Sequence, residues 1–464
     1  MSILQNKLIL SLKLAAQNIL HPKDSLKWKT IQSSIVVIGG DALSNIIRLA
    51  GNLIMTRLLF PEAFGLMLIV ALVQSALGML SDAGVRDAVI VKSRGREVVF
   101  INTAWVIMIT RGVGLFFISL ILAWPISVFY EQPILMGLIA INGIAPLFDG
   151  FTNPNRFIYE RDIRQIQVIS IDLIAQSVAL STGIAILFFY PSVWVLVFFG
   201  VLTSLVRCLL SYRLLKGPLP KFKVDKGVFM EIFNVGKWIL FATALTFLAM
   251  QGDRVLVSKL LSIELLGVFS VAVALAKIVE TVAATAGNKL LLPVYAAIDQ
   301  KGSEGINQKA RNIKLGFAVL FMPPVLFFCI FGDWLIALMY DDRYFDAGWM
   351  LQVMAVGALF AAVTSSLSPV IIGKGHVKVH LGLYIVKVFI YFTVLLSANY
   401  LYGIEGVVAG IAISPILIYF VYSIYVMRYG IYSMKYDIPI FLVFLGIVFT
   451  SWHHFGWPIS LASS

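Results

Sequence analysis

The residues best placed to do chemistry lie in the stretch 34–57, SIVVIGGDALSNIIRLAGNLIMTR. Asp41, Asn45, Arg48, Asn52 and Thr56 follow one another at steps of four, three, four and four. At 3.6 residues per turn that spacing confines all five to an arc of roughly 80° on one helix face. The stretch is long enough to cross a bilayer, since about twenty mostly apolar residues span the hydrocarbon. A charge at mid-membrane costs about 3 kcal/mol or more, so such a face normally turns toward a bundle interior or a watery cavity and marks a transport path. The alternative is a stripe that only joins this helix to its neighbours through polar contacts.

Further polar faces recur at helical spacing. Ser270, Lys277, Thr281 and Asn288 share one, with Glu280 beside Lys277, and His380, Tyr384, Lys387 and Tyr391 share another. Asn142, Asp149 and Asn153 align, as do Gln165, Asp172 and Gln176. Within the expected spans the cations Arg48, Arg111, Arg207, Lys237, Lys277 and Lys387 outnumber the anions Asp41, Asp149, Asp172 and Glu280. A cavity so lined favours an anionic group, held by charge-assisted hydrogen bonds, over a cationic one. Asp41 or Glu280 can take a proton or a sodium ion as a coupling site, or serve as counter-ion to Arg48 or Lys277. For Asp149, Asp172, Arg207 and Lys237, snorkelling or an ion pair explains the charge without any ligand. Arg111 can pair with an acid of its own half.

These faces must be carried by membrane helices. Hydrophobic residues make up 60% of the chain and charged ones only 13%, against about a quarter charged in ordinary soluble domains. The reading is an all-α polytopic membrane protein. Apolar runs of spanning length occur near 34–57, 62–82, 99–123, 134–154, 166–189, 191–212, 231–252, 263–287, 311–331, 347–372, 379–399 and 404–427, with a short thirteenth at 438–452. The net charge of +12 does not point to nucleic acid, because the basic residues sit in short clusters on alternate loops. Lys92, Arg94 and Arg96 form one, and Arg213, Lys216, Lys221, Lys223 and Lys226 another. The positive-inside rule then sets a cytosolic N-terminus. Residues 1–32 read as an amphipathic, basic segment on the cytosolic surface. Cys208 and Cys329 lie inside apolar runs, so neither a disulfide framework nor a metal site is expected.

The chain also repeats itself. TRLLFPEAFG at 56–65 aligns with SKLLSIELLG at 258–267, a displacement that carries one six-helix bundle onto the next in the same sense. The expected layout is two bundles, 33–212 and 231–427, joined by a basic linker at 213–230 and followed by a C-terminal segment, 428–464. An even number of spans per copy makes the repeat parallel, about an axis along the membrane normal. In each copy the Glu sits in the first turn of a helix, where the positive end of the dipole suits it. This hairpin therefore reads as architecture. No phosphate loop, metal-ligand cluster or paired nucleophile and base accompanies it, and no enzyme activity or cofactor is expected beyond a coupling H+ or Na+.

The stretch TRLLFPEAFGLMLIVALVQSALGMLSDAGVRDAVI resembles the signature hairpin of the polysaccharide transporter family. These are the O-antigen and exopolysaccharide flippases of the multidrug/oligosaccharidyl-lipid/polysaccharide exporter superfamily. The resemblance implies a bacterial inner-membrane protein that moves an undecaprenyl-pyrophosphate-linked oligosaccharide between leaflets by alternating access, with a polymerase and a chain-length regulator as partners. On that basis Arg48 and Lys277 are expected to hold the pyrophosphate. Lys387 and Tyr384 would flank it or the first sugar, and Asn45 and Asn52 would meet sugar hydroxyls. A cation-coupled multidrug or small-metabolite exporter of the same architecture, and a membrane glycan polymerase or ligase, are the competing readings.

Overall fold

The computed structural model describes residues 26–82, 84–287, 291, 306–373, 377–427 and 438–455. Residues 1–25 of the expected N-terminal segment, Asn288 and the side chain of Lys237 lie outside this description, and 26–32 already belong to the first helix. Among the described residues the chain is helical, with no strand. Its first half comprises α1 (Leu26–Leu58), α2 (Pro61–Leu80), α3 (Val85–Val91), α4 (Val98–Phe129), α5 (Ile134–Asn142), α6 (Ile144–Phe151), α7 (Asn155–Arg161), α8 (Gln165–Phe189) and α9 (Val193–Leu214). The second half comprises α10 (Lys226–Leu260), α11 (Ile263–Ala286), α12 (Ile306–Met339), α13 (Ala347–Gly373), α14 (Val377–Met427) and α15 (Ile438–Phe455).

Nine helices among the described residues are long and apolar enough to cross a membrane, one of them the 49-residue stretch Val379–Met427. A straight helix of that length would measure about 74 Å, more than twice the hydrocarbon thickness. Gly403 breaks it, with φ +56° and ψ −132°, a conformation that residues with a Cβ rarely adopt. The two arms, 377–402 and 404–427, correspond to the expected eleventh and twelfth spans. Parts of α1 and α10, which carry the apolar runs 34–57 and 231–252, lie outside the residues on which that count of nine rests, so it does not decide the expected twelve-plus-one layout. The short thirteenth run is α15, whose Trp452 indole donates to the Cys329 carbonyl at 2.8 Å. Between the halves, Asp225 accepts from Val228 N at 2.9 Å and starts α10 inside the stretch expected as linker. The non-helical residues before it lie on α4, through Lys221 N to Asn102 Oδ1 (2.8 Å) and Asp225 N to Thr103 Oγ1 (3.0 Å).

The halves meet where the sequence repeats. α2 packs across α11, and both crossing points are glycines of the repeated motif. A Cβ on Gly65 would lie 2.1 Å from the Ile263 carbonyl oxygen, and one on Gly267 would lie 1.8 Å from that of Pro61. Pro61 and Ile263 are equivalent positions in the repeat, so each half presses its glycine onto the same carbonyl of the other. This is the reciprocity expected of a two-fold contact. Packing inside the halves matches too, since α1 lies on α8 as α10 lies on α14.

One end of the bundle is closed by a second reciprocal set. Arg343, in the turn after α12, donates to the Arg57 carbonyl at 3.3 Å and stacks on the Phe60 ring at 4.8 Å. On the other side, the Tyr130 hydroxyl meets Ser258 Oγ at 2.8 Å, and Lys259 Nζ donates to the Phe129 carbonyl at 2.6 Å. Arg343 also hydrogen-bonds Asp341, which holds that carboxyl below its ordinary value of 3.8. A depressed acid contributes fully above its unfolded pKa and loses that contribution only as pH falls through the folded value. The contribution of this carboxylate is therefore present throughout the neutral range.

Toward the opposite, basic end the halves are not symmetric. α10 packs on α2, with Thr243 Oγ1 donating to the Met79 carbonyl at 2.7 Å, and Glu231 pairs with Arg94 at 3.1 Å. Among the described residues α1 and α11 show no comparable packing. A gap remains between them.

The crossing makes a direct prediction. Gly267→Ala should destabilise the detergent-solubilised protein by about 1–3 kcal/mol, the usual cost of overpacking. Gly316→Ala, where no atom lies within 4 Å of an added Cβ, should be neutral or stabilising by up to about 1 kcal/mol. Thermal unfolding followed by tryptophan fluorescence measures both.

Candidate functional site

The gap between α1 and α11 holds a cavity of about 560 Å³. Its polar lining comes from Asn45, Arg48 and Asn52 on α1, Lys277 and Thr281 on α11, and Arg254 on α10. Tyr340 lines it as well, immediately before the closed end. Five residues singled out by spacing alone, Asn45, Arg48, Asn52, Lys277 and Thr281, thus converge. Thr56, the last member of the stripe, is instead buried at the seal and donates to the Leu53 carbonyl at 3.1 Å. Asp41 is exposed one turn from Asn45, on the side of the basic end, and does not line the cavity. The polar-glue reading holds for a different residue of α1, Ser44, whose hydroxyl donates to Gln176 Oε1 of α8 at 2.8 Å.

Three cations face the cavity, and their partners differ. Arg48 Nη2 donates to Asn45 Oδ1 at 2.5 Å. Arg254 Nη1 donates to Gln251 Oε1 at 3.2 Å, while its Nε is buried with no acceptor, and Asn52 Oδ1 is buried with no donor. Lys277 Nζ pairs with Asp253 Oδ2 at 3.3 Å. Neutral amides support the two arginines and one carboxylate supports the lysine, so the lining carries an excess of positive charge. A buried hydrogen-bonding atom without a partner is costly. The cavity is therefore prepared for a ligand with several acceptor oxygens and some donors, which suits a phosphate group beside a sugar.

Sequence reasoning missed Asp253 and Arg254. The polar run Gln251-Gly252-Asp253-Arg254 reads as the end of a span near 252, but α10 continues through it to Leu260. The signal was present, because Arg254 falls in the second half at the place of Asn52 plus one repeat length.

Tyr384 and Lys387 do not join Arg48 and Lys277. They line a separate chamber of about 160 Å³ within the second half, together with Glu280, His380, Tyr391 and Tyr422. The reason is rotational. Lys277 and Glu280 are three residues apart on α11, so their side chains point about 60° apart around the helix. Lys277 turns toward α1, and Glu280 toward α13 and α14. Glu280 is also not the counter-ion of Lys277, a place Asp253 takes. His380 Nδ1 is buried there without a partner.

Arg207 and Arg111 of the first half are held by partners within that half. Arg207 bridges Asp149 at 3.0 Å and Asp172 at 2.8 Å, joining α6, α8 and α9. This is the ion-pair reading of those residues. Among the described residues no acid forms an ion pair with Arg111, which instead donates to the Gly78 carbonyl at 2.6 Å and to Ser81 Oγ at 3.0 Å, at the end of α2.

A profile of the family described as polysaccharide biosynthesis protein matches residues 54–349. The amylovoran biosynthesis protein AmsL of Erwinia amylovora is 23% identical over 356 residues, which is 74% of this chain and 90% of that protein. Among solved structures, the lipid II flippase MurJ in an inward closed conformation superposes with a TM-score of 0.68 at 13% identity, over 90% of this chain and 92% of that one. An inward-facing multidrug resistance transporter of the MATE family gives a TM-score of 0.64 at 16% identity, over 83% and 94% of the two chains. At these identities the likeness to the solved structures is one of fold.

The geometry predicts one-sided access. Asn45→Cys in a Cys208→Ser, Cys329→Ser background should react with a membrane-impermeant maleimide added on the face bearing residues 92–97. It should resist reagent added on the face bearing residues 341–346. Equal labelling from both faces would contradict the seal.

Proposed function

We propose, from the premise that this chain belongs to the polysaccharide biosynthesis protein family, that it is a flippase for a lipid-linked glycan. The ligand is a polyprenyl diphosphate carrying an oligosaccharide, its diphosphate held by Arg48, Arg254 and Lys277. The observation that carries this reading is the cavity between the halves, where three cations face open space and, among the described residues, one is held in an ion pair with a carboxylate. Two or three negative charges on a diphosphate would match that excess, through charge-assisted hydrogen bonds. Asn45 and Asn52 stand beside the cations, where sugar hydroxyls can reach their amides.

The gap also suits a lipid. Ile46 on α1 and Ile278 and Val282 on α11 line it and are exposed. A polyprenyl tail can therefore stay in the hydrocarbon while its headgroup enters sideways between α1 and α11. By the positive-inside rule the basic end faces the cytosol, in a bacterial inner membrane. The state described here is then open inward and sealed outward by Arg343, Tyr130 and Lys259. Exchange of the open and sealed ends about the α2–α11 crossing would deliver the headgroup to the outer leaflet, for a polymerase and chain-length regulator to use.

A cation-coupled exporter of drugs or small metabolites is the second reading, and the chamber with Glu280, Tyr384 and Lys387 is the feature that favours it. At about 160 Å³ that chamber is below the usual range of about 300–1,000 Å³ for drug-sized ligands. It suits a coupling proton or sodium ion at Glu280 better. Drug resistance conferred by the chain would favour the exporter.

The test is genetic. Arg48→Gln, Arg254→Gln and Lys277→Gln should each remove a hydrogen bond to a charged group, worth about 1.5–3 kcal/mol, or roughly 10- to 150-fold in headgroup affinity. Each should abolish or sharply reduce surface polysaccharide in the native host while membrane levels of the protein stay unchanged. Wild-type polymer from all three would refute the reading.

A further inference from the structure

We propose, resting on that reading of the cavity, that Asp253 is a resident counter-ion that competes with the ligand's diphosphate for Lys277. Among the described residues Lys277 is the one cavity cation held in an ion pair. The pair is lopsided. The Lys277 side chain is 29% exposed and lines the cavity, whereas Asp253 is 13% exposed and stands behind it. A ligand entering between α1 and α11 meets the ammonium first and the carboxylate never.

An incoming diphosphate therefore approaches one ammonium that already serves one anion. Two anions around a half-buried cation repel each other with little screening from water. Lys277 must loosen its hold on Asp253 to take up the phosphate, and on release it returns. Among the described residues neither Arg48 nor Arg254 is held in an ion pair; their side chains hydrogen-bond the neutral amides of Asn45 and Gln251, although Arg254 follows Asp253 directly and also feels its charge. The three cations thus divide the work. Two arginines supply standing attraction, and Lys277 supplies an attraction that the empty protein already satisfies internally.

This arrangement has a use in a carrier that must release what it binds. In the empty state no bare ammonium crosses the interior, since Asp253 neutralises it. In the loaded state the phosphate takes the carboxylate's place. Asp253 acts only through Lys277, as a positioning residue, and it lowers headgroup affinity instead of raising it. A merely structural ion pair predicts the opposite sign.

The experiment measures binding of farnesyl diphosphate to the detergent-purified full chain by calorimetry. Asp253→Asn should bind about tenfold tighter than wild type, as expected when a competing charge beside a ligand-binding cation is removed. Lys277→Gln should bind more weakly, and adding Asp253→Asn to it should change affinity by no more than about twofold, because the two residues act as one unit. A folded Asp253→Asn protein that binds equally or more weakly would overturn the proposal. So would an Asp253→Asn effect of the same size in both backgrounds. Should the single variant fail to accumulate, the Lys277→Gln protein and the double variant decide the matter: equal affinities support the proposal, and unequal ones overturn it. Loss of binding in Lys277→Gln and Arg48→Gln without a gain in Asp253→Asn sinks this inference alone. Unchanged binding in Lys277→Gln and Arg48→Gln sinks the reading of the cavity as well.

Discussion

A guanidinium or ammonium in the middle of a membrane must be hydrated, paired or given a ligand, because hydrocarbon offers none of these. Each intramembrane cation described here takes one of those routes. Arg207 is clasped by Asp149 and Asp172. Arg111 is absorbed by the end of α2. Lys314 is almost fully buried with its ammonium on the Tyr419 hydroxyl and ring. Arg48, Arg254 and Lys277 are the set that gathers on one cavity between the halves. The placing of α1, α10 and α11 around a void follows from that difference, and so does the class of ligand.

The void exists because the halves touch at few places. At the crossing of α2 and α11 two glycines bring backbone against backbone, and a methyl group at either would collide with a carbonyl of the other half. That requirement accounts for the repeat of a short motif in a chain whose halves otherwise differ. At one end the Arg343 turn and the Tyr130 turn close the bundle in matching fashion. At the other, α10 has come to rest on α2 while α1 stands off from α11. A two-fold framework with one seam shut and the other parted gives a headgroup a single lateral way in.

Much of this was legible in the chain. The step pattern from Asp41 to Thr56 marks a helix face irrespective of tertiary structure, and Asn45, Arg48 and Asn52 stand together in the cavity as that pattern implies. The glycine-bearing repeat was likewise visible and identified as architecture. What escaped the sequence were contacts set by how far a helix runs and which way it is turned. Asp253 and Arg254 looked like the end of a span because four polar residues in a row resemble a loop, and only the continuation of α10 brings them to the site. Lys387 and Tyr384 share chemistry with Arg48 but sit behind α11. Periodicity reports which residues of one helix share a face, not which neighbouring helix that face meets.

The central claim is that the cavity carries a diphosphate-linked glycan lipid across the bilayer, and the most direct measurement is leaflet exchange in vesicles containing only the purified protein. A fluorescent polyprenyl-diphosphate oligosaccharide in both leaflets would be exposed to an impermeant quencher. The account predicts that the protected inner-leaflet pool becomes quenchable when the wild-type chain is present, and stays protected with a variant carrying Arg48→Gln, Arg254→Gln and Lys277→Gln together. Exchange at the wild-type rate in that triple variant would contradict it.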